Sequence, residues 1–185
     1  MAGIPWVWGA TPAELAADYP CDRFVTEPTT ACFRAIESAA APDSQYRWLC
    51  QLRVAPYSYD LLDNFGRRSP RTLTPGAEDL EIGQVFMTIF RLVEFTPGRQ
   101  LTLRLDDPRA RKLFGNLAVT YTVLPTADDG SRLVVKLAIA IEGGPLHAVR
   151  RRLLAWGDLA MMRKQLLQLT TLAKQHPLRP KNLGL

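Results

Sequence analysis

Histidine is nearly missing from this sequence: His147 and His176 are the two it has. With so few, a histidine-based metal site or a Ser-His-Asp arrangement is not expected, and no metal or other cofactor is read from the chain. Cysteine is sparse as well. Cys21, Cys32 and Cys50 are odd in number and lack paired spacing, which fits a reducing compartment and no zinc motif. No stretch of 18 apolar residues occurs, so no integral membrane segment is expected. A basic segment followed by an apolar run is missing near Met1, so no secretory signal is expected and the location read from sequence is cytoplasmic. There is no phosphate-binding loop, no dinucleotide fingerprint and no internal repeat.

Excess charge is also modest. A net charge of +5 and a pI near 9.4 are too mild for a dedicated nucleic-acid binder, and none is expected as a partner. The basic clusters at Arg67 to Arg71, Arg109 to Lys112 and Arg150 to Arg152 read first as solvated surface, with phosphate or membrane-surface contact as the alternative.

The 185 residues, 47% of them hydrophobic, suffice for one domain with a core and a cavity. Residues 1–29 read as an extension packed on the domain, 30–176 as the domain, and 177–185 as a basic tail. In the extension, Thr11-Pro12-Ala13-Glu14 has the form of a helix start, and Trp6 and Trp8 read as plugs. Thr30 to Ala40 predicts a strand, and Pro42 to Arg53 and Tyr57 to Phe65 predict two short helices. Four apolar stretches follow. Gln84 to Phe95 is one long strand or two short ones, apolar at both parities, so its facing stays open and a bulge is compatible with it. Gln100 to Leu105, Asn116 to Leu124 and Arg132 to Glu142 alternate, with Leu101, Leu103, Leu105, Leu117, Val119, Tyr121, Val123, Leu133, Val135, Leu137, Ile139 and Ile141 on inward faces.

Pro145 to about His176 is a single long helix with more apolar surface than one face needs. Leu146, Val149, Leu153, Trp156, Ala160 and Leu167 fall on a main stripe. Leu154, Met161 and Leu172 lie beside it, and Leu159, Met162, Leu166 and Leu169 point elsewhere. Two readings stay open: a core helix with a wide buried face, or a helix facing a cavity with its first half and the sheet or another subunit with its second. The second allows a homodimer. Gly157 either permits close backbone approach or leaves room for a ligand, and Asp158 falls off the main stripe, toward solvent.

Strand, two helices, a strand meander and a long helix follow the order of an α+β helix-grip fold, in which a curled antiparallel sheet wraps the long C-terminal helix. The local residues carry the same resemblance. Ile36-Glu37-Ser38-Ala39-Ala40-Ala41-Pro42 with Trp48-Leu49, and Val93 to Leu101, resemble the START-like or SRPBCC superfamily, which includes polyketide cyclases, lipid-transfer START domains and birch-pollen-allergen-like proteins. Trp8 to Thr11, Pro20-Cys21-Asp22 and Tyr57 to Asn64 resemble a group of uncharacterised bacterial members. The resemblance implies a ligand seated between the sheet and the long helix. It is specific for fold and weak for function, because this fold hosts unrelated activities.

The candidate ligand-binding residues are Trp48, Tyr57, Tyr59, Asp60, Met87, Phe90, Tyr121, Trp156 and Met161. Tyr57, Tyr59 and Asp60 would offer hydrogen bonds from a helix over the cavity; the competing account pairs Asp60 with an arginine such as Arg67 and packs the tyrosines. A phenol at Tyr121 needs a partner, in the core or in the ligand. Trp48, Met87, Phe90, Trp156 and Met161 would be apolar wall or plain core. Three functions follow. The first is binding of a hydrophobic small molecule such as a lipid, an aromatic polyketide-like compound or an isoprenoid. The second is a cyclase- or dehydratase-like enzyme working through tyrosine and aspartate hydrogen bonds. The third is a protein- or membrane-interaction module, which requires Leu159, Met162, Leu166 and Leu169 to be exposed.

Overall fold

The computed structural model describes residues 3–27, 29–58, 69–141 and 145–177. Seven strands form one sheet in the order β1-β2-β7-β6-β5-β4-β3. These are β1 (Val7–Trp8), β2 (Thr29–Ser38), β3 (Val85–Phe86), β4 (Phe90–Thr96), β5 (Gln100–Leu105), β6 (Leu117–Pro125) and β7 (Ser131–Ala140). All neighbours are antiparallel except β1, which runs parallel to β2. The ambiguous apolar stretch is thus two strands, and the register of β4 on β5 shifts between Leu92 and Glu94, a bulge that reconciles its two apolar parities. The turn from β6 to β7 places Asp129 in the left-handed region, at φ 56°.

Among the described residues, four α-helices accompany the sheet: α1 (Pro12–Ala16), α2 (Pro42–Cys50), α3 (Pro108–Phe114) and α4 (Pro145–Gln175). The Thr11 side chain accepts from the Glu14 N–H while Glu14 accepts from the Thr11 N–H at 2.7 Å, the reciprocal cap its sequence predicts. Helix α2 continues as a 3-10 turn, Gln51–Arg53. Helix α3 goes unpredicted by periodicity: its PRARKLF sequence has no apolar repeat. It forms because Asp107 caps the Ala110 N–H at 2.7 Å and Gly115 ends it at φ 76°.

One face of the sheet packs on α4 and α2. Leu101, Leu103, Val119, Leu133 and Val135 meet Leu166, Leu169 and Ala173 of α4 and Trp48, Leu49 and Leu52 of the α2 region, all buried. Ile141, expected inward, lies past the end of β7 and is exposed.

The helix corrects the sequence reading of its faces. Leu159, Met162, Leu166 and Leu169 are the buried row, whereas Val149, Leu153, Trp156 and Leu167 of the supposed main stripe are exposed. Both rows repeat at helical spacing, so packing against the sheet decides between them. This burial removes the main support for the interaction-module reading. The helix end is tied down at His176. Its ring lies 5.6 Å from that of Trp48, and the Ser44 hydroxyl donates to carbonyls of Ala173 and His176.

The opposite sheet face is covered by residues 10–25. Tyr19, Cys21 and Val25 pack on Phe33, Ala35, Ala118, Val134 and Ala138, and the Cys21 N–H donates to Thr120 Oγ1 at 2.9 Å. Ion pairs Arg132–Glu14 and Lys136–Asp22 hold the same segment. Trp6 and Trp8 pack partly buried against the main core. Gly9, at φ 75°, passes so close to β2 that a Cβ there would sit 2.1 Å from the Ala35 carbonyl oxygen.

Candidate functional site

Between the sheet and one side of α4 lies a cavity of about 610 Å³, within the size range of small-molecule sites. Its sheet wall is Val119 and Tyr121 of β6 with Leu137 and Ile139 of β7. These residues alternate with outward ones along their strands, so period two places them together. Its helix wall is Leu154, Asp158, Met161 and Gln165, spaced four, three and four residues apart on one side of α4. Met87 to Phe90 and the α3 residues Leu113 and Phe114 close the remaining side. Met87 and Thr88, at φ 46° and 65°, hold a left-handed backbone that non-glycine residues seldom adopt, and they hold it on the cavity wall.

Gly157 borders the cavity, and a Cβ there would meet no heavy atom within 4 Å. Of its two readings, open space is the one observed.

Three polar groups stand in this apolar wall with defined partners. The Tyr121 hydroxyl donates to Gln165 Oε1 at 2.9 Å, and Gln165 Nε2 donates to the Pro56 carbonyl at 2.6 Å. Burial pushes the Tyr121 phenol well above its ordinary range, so it stays protonated.

Asp158 is the third, and the sequence reading toward solvent is overturned here. Asp158 Oδ2 accepts from Arg34 Nη2 at 2.8 Å. Arg34 is fully buried, and its Nη1 also donates to the carbonyls of Trp6 and Phe33, at 2.9 Å each. The Asp158 side chain keeps one fifth of its surface, and it lines the cavity. Removal from bulk water pushes its carboxyl up to about 6, against the downward pull of Arg34. Arg150 and Arg151 also border the cavity, from the first turns of α4.

Of the residues singled out in the sequence, the structure brings Met87, Phe90, Tyr121 and Met161 together on the cavity wall. Trp48 is buried away from it, with Tyr57 edge-on to its ring at 6.1 Å, and Tyr57 too is set back behind the wall, where its neighbour Ser58 stands. Trp156 projects from the outer surface of α4, 48% exposed. Tyr59 and Asp60 lie outside the described residues. Arg91 turns outward and pairs with Asp106. Asp158 and Gln165 are the functional candidates that sequence reasoning passed over. The signal was present, since they share a helix side with Leu154 and Met161, which had been placed beside the main stripe.

Among the described residues, no group of three histidine, cysteine, aspartate or glutamate side chains is placed to hold a metal, and no helix is long and apolar enough to cross a membrane.

A seven-stranded sheet closed on a long C-terminal helix with a cavity between them decides the architecture. The fold is the helix grip. Solved structures share it. One is Ara h 8.0201, 8% identical, covering 80% of this chain and 100% of its own at a TM-score of 0.52. The di-domain ARO/CYC StfQ from the steffimycin biosynthetic pathway is 17% identical over 80% of this chain, at a TM-score of 0.52. This chain spans about half, 51%, of StfQ. A solution structure from Thermobifida fusca is 16% identical over 80% of this chain and 97% of its own, at a TM-score of 0.50. No protein-family profile matches the sequence, and no curated protein matches it. At these identities the likeness speaks for the helix-grip fold alone.

Proposed function

We propose that this helix-grip protein binds a hydrophobic small molecule, of lipid, aromatic polyketide-like or isoprenoid type, in the cavity between sheet and α4. Residues 30–176 would form the binding domain, with 1–29 as its covering extension and 177–185 as a tail. One observation carries the reading. A cavity of about 610 Å³ is walled from both sheet and helix mainly by apolar side chains, beside a separately packed core. Apolar wall left facing water costs free energy that a hydrophobic ligand would recover. Val119, Leu137, Met87, Phe90 and Met161 would hold the ligand body, and Tyr121, Gln165 and Asp158 its polar points.

The test is native mass spectrometry of gently purified protein, followed by organic extraction. Gly157→Leu is the control variant, because it grows into empty space and removes a helix glycine. The expected result is an apolar compound of defined mass that the variant does not retain. A protein that takes up no apolar compound, on purification or on later exposure to a panel of them, would sink the proposal.

A second reading, a cyclase- or dehydratase-like enzyme, gains from one finding: the Asp158 carboxyl and the Tyr121 phenol face the same apolar cavity. A carboxyl near 6 is matched to proton transfer near neutral pH. Conversion of the extracted compound by wild type and not by Asp158→Asn would separate this reading from simple binding.

A further inference from the structure

We propose that Asp158 selects the ligand: the molecule bound in the cavity carries a hydroxyl, phenol or amine donor on an otherwise apolar body, and that donor bonds Asp158 Oδ1. This rests on the binding reading above and names its substrate class.

The two carboxylate oxygens of Asp158 are used unequally. Oδ2 is held by Arg34, from behind the wall. Among the described residues Oδ1 makes no hydrogen bond, and it is not sealed from solvent. It is therefore accessible, on a side chain that lines the cavity. A carboxylate oxygen is an acceptor with no proton to give, so its complement is a donor.

The neighbouring polar groups are already engaged. The Tyr121 hydroxyl donates to Gln165 Oε1, and Gln165 Nε2 donates to the Pro56 carbonyl. The side of the wall they share with Asp158 therefore offers a ligand an open acceptor at Oδ1.

Charge around the carboxyl sharpens the choice. Arg34 and Cys32 face it from β2 and Tyr121 from β6, while Arg150 and Arg151 border the same cavity from its own helix. Arg34 is buried and committed to two backbone carbonyls as well as to Asp158, so it neutralises the carboxylate without being free to receive an anion. An anionic ligand end at Oδ1 would meet like charge. An uncharged donor would meet an ionised acceptor in a nearly water-free setting, where such bonds are strong.

The experiment titrates full-length protein with naphthalene, 2-naphthol and 2-naphthoate near neutral pH, following probe fluorescence. These share one apolar body and differ in one polar group. Wild type is expected to bind 2-naphthol roughly tenfold more tightly than naphthalene, and 2-naphthoate more weakly than either. In Asp158→Asn the amide oxygen must face the Arg34 donors, which turns its NH2 toward the cavity and converts an acceptor into a donor. Naphthalene affinity should then hold, the naphthol advantage should fall below about threefold, and naphthoate should gain. Should that variant not fold, wild type alone serves: at pH about 5, below the carboxyl's midpoint, the naphthol advantage should shrink.

Equal binding of naphthalene and naphthol by wild type overturns the selection by Asp158 and leaves the cavity reading standing. Tightest binding of naphthoate also overturns it, in favour of an anion held by Arg150 and Arg151. Binding of none of the probes overturns both readings together.

Discussion

Arg34 Nη2 and Asp158 Oδ2 lie 2.8 Å apart, joining the second strand to the middle of the long helix across 124 residues of sequence. The arginine is fully buried, and its other nitrogen ties down the Trp6 carbonyl, so one side chain fastens the N-terminal segment, the sheet and the cavity wall. Arg34→Met removes the cation and leaves a carboxylate in low dielectric. Urea unfolding should show a loss of about 3–5 kcal/mol. The double variant Arg34→Met/Asp158→Asn should lose less than the sum of the singles, because the unpaired charge is gone. Strict additivity would mean that the pair is not coupled.

Asp158 gives a pH dependence of definite sign. Its folded carboxyl titrates near 6, above the ordinary value of 3.8. Between those values the folded protein holds a proton that the unfolded chain has released, so this group's contribution to stability falls as pH rises through the interval. The full span corresponds to ~3 kcal/mol. Glu14, pulled below its ordinary value by Arg132, acts in the opposite sense: its contribution is present above that value and lost on acidification. Carbon NMR of the Asp158 carboxyl should show a midpoint near 6. A midpoint at or below the ordinary carboxylate value would contradict its placement.

The facing of the long helix can be checked with two leucines. Leu166 is fully buried and Leu153 is 67% exposed. Leu166→Ala should cost about 2–5 kcal/mol by loss of packing and the cavity left behind. Leu153→Ala should stay within about 0.5 kcal/mol, since little apolar surface returns to water. The reverse order would restore the facing that the sequence pattern favoured.

Tyr121→Phe isolates the internal hydrogen bond of the cavity wall. It keeps the ring and removes the proton that Gln165 Oε1 accepts. A buried amide oxygen left without its donor should lower stability by about 1–3 kcal/mol, read as a shift of the urea midpoint at unchanged slope. An unchanged midpoint would show that water or a rotated Gln165 replaces the bond.

Much of the fold was legible in local pattern. Strand β5 runs over Gln100–Leu105, as alternation predicts, and the Thr11 cap and the β6–β7 turn formed where their residues call for them. Such features depend on neighbours a few positions away. Helix α3 escaped because its evidence was a cap and a terminating glycine, with no apolar period between them.

The candidate site was legible only in part. Met87, Phe90, Tyr121 and Met161 follow from apolar character and strand parity, and they reach the wall. Trp48 and Trp156 share that character and are placed elsewhere, one inside the core and one on the outer surface. Apolarity says that a side chain seeks cover and leaves open what covers it.

By itself, then, the sequence determined the order of elements, the alternating strand faces and the existence of one long, over-apolar helix, because hydrogen-bond periodicity and capping act over a few residues. Tertiary structure alone decided which row of that helix is buried, that residues 10–25 cover the far face of the sheet, and that Asp158 turns inward. Each of those outcomes depends on groups far apart in the chain, and above all on a buried guanidinium whose charge has to be met by a carboxylate that no local pattern could assign to it.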